Sequence, residues 1–66
     1  MSNEIISAYI EENGIKKKAV CRKLNLTYKG LQNKTDGKTE FTASEVKKLS
    51  QWWGVSSDYL LGIETR

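Results

Sequence analysis

Residues 17–34 read KKAVCRKLNLTYKGLQNK, and the pattern of these residues predicts the centre of the fold. Its first eight residues place apolar side chains at helical spacing, which predicts a helix over about 17–24. Asn25 follows, and asparagine is one of the few residues other than glycine that readily adopts the left-handed backbone conformation. Thr27 can then cap a further helix over about 28–34. Two short helices joined by a short turn form a helix-turn-helix arrangement.

Small and apolar side chains in this stretch are placed to hold the two helices together. Those expected to pin the helices to the rest of the domain are Val20, Leu24, Leu26 and Leu31. Cys21 is small enough to lie where the helices cross closely. We interpret it as a small buried hydrophobe, because the chain has no histidine to activate a thiol nucleophile.

The remaining sequence predicts three more short helices. Isoleucine and tyrosine at three- and four-residue spacing predict the first over about 3–13. After a polar loop over 34–40, the residues TASE at 42–45 fit a capping box and begin a helix that ends at Gly54. A last short helix is predicted within 56–62, with a serine as its cap. The fold class is therefore predicted to be all-α, with five helices.

The aromatic residues near this capping box have separate interpretations. Phe41 precedes the cap and can staple onto Val46. Trp53 shares a helix face with Val46 and Leu49, which predicts a place in the core. Trp52 points elsewhere and is predicted to be partly exposed, where it could cover the first helix or help a dimer to form.

Length and composition narrow the functional classes. The 66 residues suit one domain, taken as residues 1–66. No apolar run approaches the ~20 residues that cross a bilayer, and the N-terminus shows no secretory pattern, so we expect a cytoplasmic protein without membrane contact. One cysteine and no histidine argue against a disulfide and a metal site. Without a histidine, a predictable carboxylate pair or a phosphate-cradling glycine loop, we expect no enzyme, cofactor or small-molecule ligand.

Positive charge is concentrated in the middle of the chain. Residues 15–39 hold eight lysines and arginines against one acid, a net charge of +7, whereas the other residues hold three against seven, a net charge of −4. The overall charge of +3 therefore hides a basic centre between acidic ends. A localised basic face is typical of a nucleic-acid partner, although a solvated lysine-rich face is also common.

The sequence GIKKKAVCRKLNLTYKGLQNKTDGK at 14–38, followed by VKKLSQWWGVSSDYLLG at 46–62, resembles the Cro/cI-type (XRE-like) helix-turn-helix family of phage repressors and bacterial transcriptional regulators. The resemblance covers about residues 5–62. It implies a compact five-helix bundle of the lambda-repressor-like kind. It also implies a homodimer bound to a double-stranded DNA operator with dyad symmetry.

The chain departs from the family pattern at several positions. Where the family often has Gly, Ala and Gln, this chain has Asn25, Cys21 and Lys17. The family's pairing of an arginine in the first helix with a glutamate just after the third is replaced by Ile10 and Thr35. Lys34 stands where an apolar residue commonly closes the third helix, so this end is expected to be looser or Lys34 to reach DNA. Asp36 stands where the family usually has an asparagine. Its negative charge would repel a DNA phosphate, so we assign it no phosphate contact.

The resemblance and the cap at Thr27 together indicate which side chains would read bases. The outward positions of the third helix match the family's base-reading positions: Tyr28, Lys29, Gln32 and Asn33. Lys29 suits guanine, Gln32 or Asn33 suits adenine, and Tyr28 suits a thymine methyl or a phosphate. Gly30 would admit the sugar–phosphate backbone or, as we favour, close packing of the second helix.

Other residues are predicted to position the protein on DNA or to join two copies. The candidate phosphate contacts are Lys16, Lys17, Lys18, Thr27, Lys34 and Lys38, with Lys17 as the first choice. The candidate dimer residues are Trp52, Tyr59, Leu61 and Ile63, and the alternative for the last three is closure of the bundle.

The leading hypothesis is a sequence-specific DNA-binding transcriptional regulator, a Cro-like phage or prophage repressor that occludes a promoter. The length leaves little room for a cleavable or ligand-sensing second domain. The alternative is a helix-turn-helix module that binds protein, such as an antirepressor or an antitoxin-type partner. That alternative predicts weak, sequence-independent DNA binding and an exposed apolar patch around Trp52 and Tyr59.

Overall fold

Five helices follow one another through residues 2–63, the part of the chain that the computed structural model describes. They are α1 (Ser2–Glu12), α2 (Lys17–Leu24), α3 (Tyr28–Thr35), α4 (Ala43–Trp53) and α5 (Ser57–Leu60). No strand occurs within these residues. The prediction of an all-α fold with five helices is therefore confirmed, and the predicted bounds of α2 match the observed ones.

The turn between α2 and α3 has the predicted local geometry. Asn25 is the C-cap of α2, with φ 56° and ψ 47° in the left-handed region. It is the only residue other than glycine with a positive φ among those described. Thr27 is the N-cap of α3, and its hydroxyl oxygen accepts the Gly30 N–H at 3.0 Å. A helix end, a reversal of the chain and a new helix start are thus specified within three residues.

The start of α4 is a complete capping box. The Thr42 hydroxyl oxygen accepts the Glu45 N–H at 3.2 Å, and the Glu45 carboxylate accepts the Thr42 N–H at 2.8 Å. Two backbone donors that a helix leaves unpaired at its start are therefore satisfied. Phe41, just before the box, is buried in the core together with Val46, as the staple predicts.

The core draws on every helix. Its buried side chains are Ile6, Ile10, Val20, Leu24, Leu31, Phe41, Val46, Leu49 and Leu60. Half-buried side chains, among them Leu26 and Trp53, pack around it. Helix α2 packs against α3 and α4, and α1 packs against α3 and α5. The radius of gyration is 10.7 Å, the value of about 11 Å expected for a compact chain of this length.

Two expectations for the α2–α3 region need revision. Gly30 was expected to make room for α2, but no atom of α2 lies within 4 Å of a β-carbon built there; beyond the adjoining backbone, that β-carbon would meet the Thr27 hydroxyl oxygen at 3.1 Å. The glycine therefore makes room for the N-cap of its own helix. Cys21 is half-buried rather than buried, and its Sγ lies 3.7 Å from the Thr27 carbonyl oxygen, across the turn.

Candidate nucleic-acid interface

The first turn of α3 presents polar side chains to solvent. Tyr28 is 58% exposed, and Lys29 and Gln32 are exposed as well, whereas Leu31 is 1% exposed and faces the core. Asn33 is half-buried. The inward Leu31 and the exposed Tyr28, Lys29 and Gln32 follow the helical period as predicted, whereas Asn33 was predicted to point outward and is only partly exposed.

The end of α3 is tied to the loop that follows it. The Asn33 carbonyl oxygen accepts the N–H groups of Lys38 at 2.8 Å and Thr39 at 3.3 Å. Gly37, with φ +86°, lies beside α1, where a β-carbon would stand 2.9 Å from Asn3 Nδ2. The close approach and the positive φ both explain the glycine. Lys38 is exposed in this loop.

The start of α2 carries three exposed lysines and no cap from a side chain. Lys16 is the N-cap position, but its side chain cannot accept a hydrogen bond and makes no cap contact. Lys17 and Lys18 follow in the first turn, which contains no acid. Cations beside the positive end of a helix dipole cost tenths of a kcal/mol or more. Among the described residues, none of these three lysines has an ion-pair partner.

Thr27 can act in two ways at once. Its hydroxyl oxygen accepts the Gly30 N–H, which leaves the O–H as a donor, and the side chain is exposed. The same side chain can therefore cap α3 and donate to an anion beside it. Thr27 is the last residue of the turn between α2 and α3.

Lys34 differs from the other candidate phosphate contacts. Its Nζ lies 3.0 Å from Glu45 Oε1, donates to the Glu40 carbonyl oxygen at 2.8 Å, and stands 5.7 Å from the Phe41 ring centroid. Its side chain is 12% exposed. Because both strong contacts of the ammonium are internal, we remove Lys34 from the proposed phosphate contacts. The looser helix end expected from a lysine at this position is instead an end held by an ion pair.

The Glu45 carboxylate has a pKa below its ordinary value of 4.5. Burial alone would raise this pKa. The Thr42 N–H and the Lys34 ammonium, which both bind the charged form, together more than offset the burial. The carboxylate therefore stays ionised through the physiological pH range.

The four candidate dimer residues divide into two groups. Trp52, Leu61 and Ile63 are exposed, Ile63 at 73%, whereas Tyr59 is half-buried and packs against the core. Trp52 lies against Trp53 with ring centroids 5.7 Å apart, while the Lys23 ammonium stands 5.8 Å from the centroid of its ring. Leu61 lies just beyond α5 rather than inside it.

Sequence reasoning missed the two contacts that lysines make across helices. Lys34 with Glu45 joins the end of α3 to the start of α4, and Lys23 over Trp52 joins α2 to α4. One signal pointed to the first contact: Lys34 stands where an apolar residue was expected, so its charge needed a partner. The second contact had no such signal.

No described helix has the length and apolar character needed to span a bilayer. Residues 2–63 also bring together no cluster of three or more metal-ligating side chains of the His, Cys, Asp or Glu type. Comparison of the chain with protein-family models, curated proteins and solved structures finds no match.

Proposed function

We propose that this protein is a sequence-specific, double-stranded DNA-binding transcriptional regulator of the Cro-like repressor kind. In this proposal α2, the turn and α3 act as a helix-turn-helix, and α3 enters the major groove. The protein works in the bacterial cytoplasm, as a homodimer on an operator with dyad symmetry, and occludes a promoter. One observation carries the proposal: α3 begins with an exposed polar face, and the helix before it, α2, begins with three exposed lysines and no side-chain cap.

The exposed face of α3 supplies the chemistry that base reading needs. The Lys29 ammonium can donate to guanine O6 or N7, and the Gln32 amide can pair with adenine. Tyr28 offers a ring edge for a thymine methyl and an O–H for a phosphate. Asn33, half-buried at the rim of this face, would reach a base from a more fixed position.

The exposed lysines at the start of α2 and in the loop after α3 supply the chemistry that phosphate binding needs. Among the candidate phosphate contacts, Lys16, Lys17, Lys18 and Lys38 are exposed, and their ammonium groups have no ion-pair partner in the described region. Phosphate oxygens beside the start of α2 would offset both the clustered charge and the unpaired helix N–H groups. The arrangement that costs the free protein stability is thereby favourable in the complex.

A second candidate, a protein-binding module, draws support from the C-terminal apolar side chains. Leu61 and Ile63 are exposed, and Trp52 is partly so. These residues would form a homodimer contact in the first proposal and a partner site in the second. The basic α2–α3 region favours the first, since a localised cluster of lysines is typical of a nucleic-acid partner.

Selection from a randomised duplex pool at near-physiological salt tests the proposal. We expect one motif to be enriched, and Lys29→Ala and Asn33→Ala each to relax it at one or two positions by roughly 1–3 kcal/mol. Lys47→Ala is the matched control: it removes one exposed lysine from α4, outside the proposed interface, and should leave the motif unchanged.

Absence of any enriched motif with the folded wild-type chain would reject the regulator and favour the protein-binding module. Far-ultraviolet circular dichroism of each variant shows whether the helices persist, so that a lost motif is not confused with a lost fold.

A further inference from the structure

Three groups converge on the Lys34 ammonium at the junction of α3, the loop and α4. The Glu45 carboxylate lies 3.0 Å away, the Glu40 carbonyl oxygen 2.8 Å away, and the Phe41 ring stands 5.7 Å from it. The side chains of Lys34 and Glu45 are only 12% and 13% exposed. Partial burial strengthens this charge-assisted contact relative to an exposed ion pair.

The same carboxylate oxygen serves two donors. Glu45 Oε1 accepts the Lys34 ammonium and also the Thr42 N–H at 2.8 Å. The ion pair is therefore part of the capping box that begins α4. Lys34 is in the last turn of α3, where a cation also interacts favourably with the helix dipole. One ammonium thus links the end of one helix to the start of the next.

We propose that Lys34 is a positioning residue that fixes the C-terminal end of α3, next to the candidate base contact Asn33, without touching DNA. This inference rests on the proposed function in its statement about DNA. Lys34 binds the Glu40 carbonyl oxygen in the loop and the Glu45 carboxylate at the start of α4, and so connects both segments to the end of α3. The loop in turn binds the Asn33 carbonyl oxygen through two N–H groups. The network therefore sets the position of Asn33, the candidate base contact nearest to it.

The need for such a network follows from how little else anchors α3. Leu31 is the only buried side chain in this helix. A single apolar anchor holds the middle of an eight-residue helix but leaves its end free to tilt. The Thr27 cap fixes the start, and the Lys34 network fixes the end. The Lys34 ammonium already donates to two internal acceptors, and its side chain is only 12% exposed, so little of it can reach a phosphate.

Hydrogen exchange of the free protein tests the network without any DNA. Lys34→Met keeps the length of the side chain and removes the charge, and Glu45→Gln keeps an oxygen for the Thr42 N–H. We expect Lys34→Met to speed exchange of the Thr42, Lys38 and Thr39 amides by roughly tenfold, the effect of losing a charge-assisted hydrogen bond. Lys34→Arg should restore slow exchange. Local exchange is the informative readout, since methionine at a partly buried position can itself stabilise the whole fold.

DNA binding by the same variants tests positioning. Lys34→Met should weaken binding and relax selection at the base pair that Asn33→Ala affects, while the slope of log affinity against log salt stays as in the wild type. Lys38→Met is the matched control, an exposed lysine four residues further on, and should lower that slope by about 0.9. Lys34→Arg should recover both affinity and selection.

Two results would overturn the inference. Unchanged exchange of the Thr42 amide in both Lys34→Met and Glu45→Gln would show that no network exists. A fall in salt slope for Lys34→Met as large as for Lys38→Met would show a phosphate contact instead. If the wild-type chain binds no duplex, the regulator and the DNA part of this inference fail, and the exchange experiment still decides whether Lys34 holds the loop.

Discussion

The ring of Tyr9 lies face to face with the indole of Trp53, with centroids 4.5 Å apart and planes 20° apart. The contact joins the middle of α1 to the last residue of α4. The Trp52 ring packs against the Trp53 ring, and the Lys23 ammonium lies above the Trp52 ring. A series of aromatic and cationic contacts therefore runs from α1 through the end of α4 to α2, beside the aliphatic core.

Removal of the Tyr9 ring should destabilise the fold. Tyr9→Ala loses the burial of a half-buried ring and a stacked pair, so we expect a loss of about 1–3 kcal/mol in the free energy of unfolding. Tyr9→Phe keeps the ring and should change this free energy by less than about 0.5 kcal/mol. Urea denaturation followed by tryptophan fluorescence measures both. Equal losses in the two variants would show that the hydroxyl, not the stack, matters.

Asn25 offers a test of backbone conformation at the turn. Its φ of 56° is readily adopted by glycine and costs a residue with a β-carbon about 1–2 kcal/mol. We expect Asn25→Ala to lower the free energy of unfolding by about 1 kcal/mol, and Asn25→Gly to leave it within about 0.5 kcal/mol of the wild type or above it. Guanidinium unfolding of the wild type, Asn25→Ala and Asn25→Gly ranks their free energies of unfolding. Equal free energies of unfolding for Asn25→Ala and Asn25→Gly would mean that the left-handed turn is absent in solution.

Acid should weaken the contact between Glu45 and Lys34. The pKa of Glu45 is lower in the folded protein than its ordinary value of 4.5, although burial alone would raise it. The carboxylate therefore contributes stability above pH 4.5, and this contribution is lost as the pH falls from 4.5 through the folded pKa. Glu45→Gln should be less stable than the wild type at pH 7, and the gap should close towards pH 3.

Urea unfolding at several pH values measures that gap. Glu11→Gln, which removes an exposed carboxylate from α1, controls for the change in net charge. A gap between wild type and Glu45→Gln that stays constant from pH 7 to pH 3 would contradict the assigned contact.

The lysines at the start of α2 should appear in the salt dependence of DNA binding. If about five phosphates are neutralised per protein, affinity should fall by on the order of a hundred- to a thousandfold between 50 and 200 mM salt. Lys17→Gln should reduce the slope of log affinity against log salt by about 0.9 without changing the selected motif. Lys47→Gln, on α4, should leave the slope unchanged. A flat salt response of the wild type would count against the proposed interface.

Local signals account for the part of the fold that was predictable from sequence. Asn25, Thr27 and the capping box at 42–45 act on backbone groups within three residues of themselves, so their effect can be inferred without knowing the tertiary structure. Helix α2 therefore has the predicted bounds, and α3 is one residue longer than predicted. The division of α3 into the inward Leu31 and an outward polar face follows from helical period alone.

Contacts between distant residues account for what was missed. Glu45 lies eleven residues beyond Lys34, and only the path of the intervening loop brings the two together. The reason for Gly30 was missed because the cap hydroxyl of Thr27 approaches it from within the same turn. The indole of Trp52 was expected either to cover α1 or to join a dimer, and its contact with Lys23 depends on how α2 packs on α4.

The half-buried thiol of Cys21 offers a way to measure how often α2 and α3 separate. Its sulfur lies against the Thr27 carbonyl, between α2 and the turn, and it is the only cysteine in the chain. Because Cys21 is the only cysteine, a thiol-directed reagent labels the chain at this one place, and the rate of labelling rises when α2 and α3 separate and expose the sulfur further. A duplex bound across α2 and α3 would hold the two helices together and slow the labelling of Cys21. A duplex bound elsewhere on the protein would leave the labelling rate unchanged.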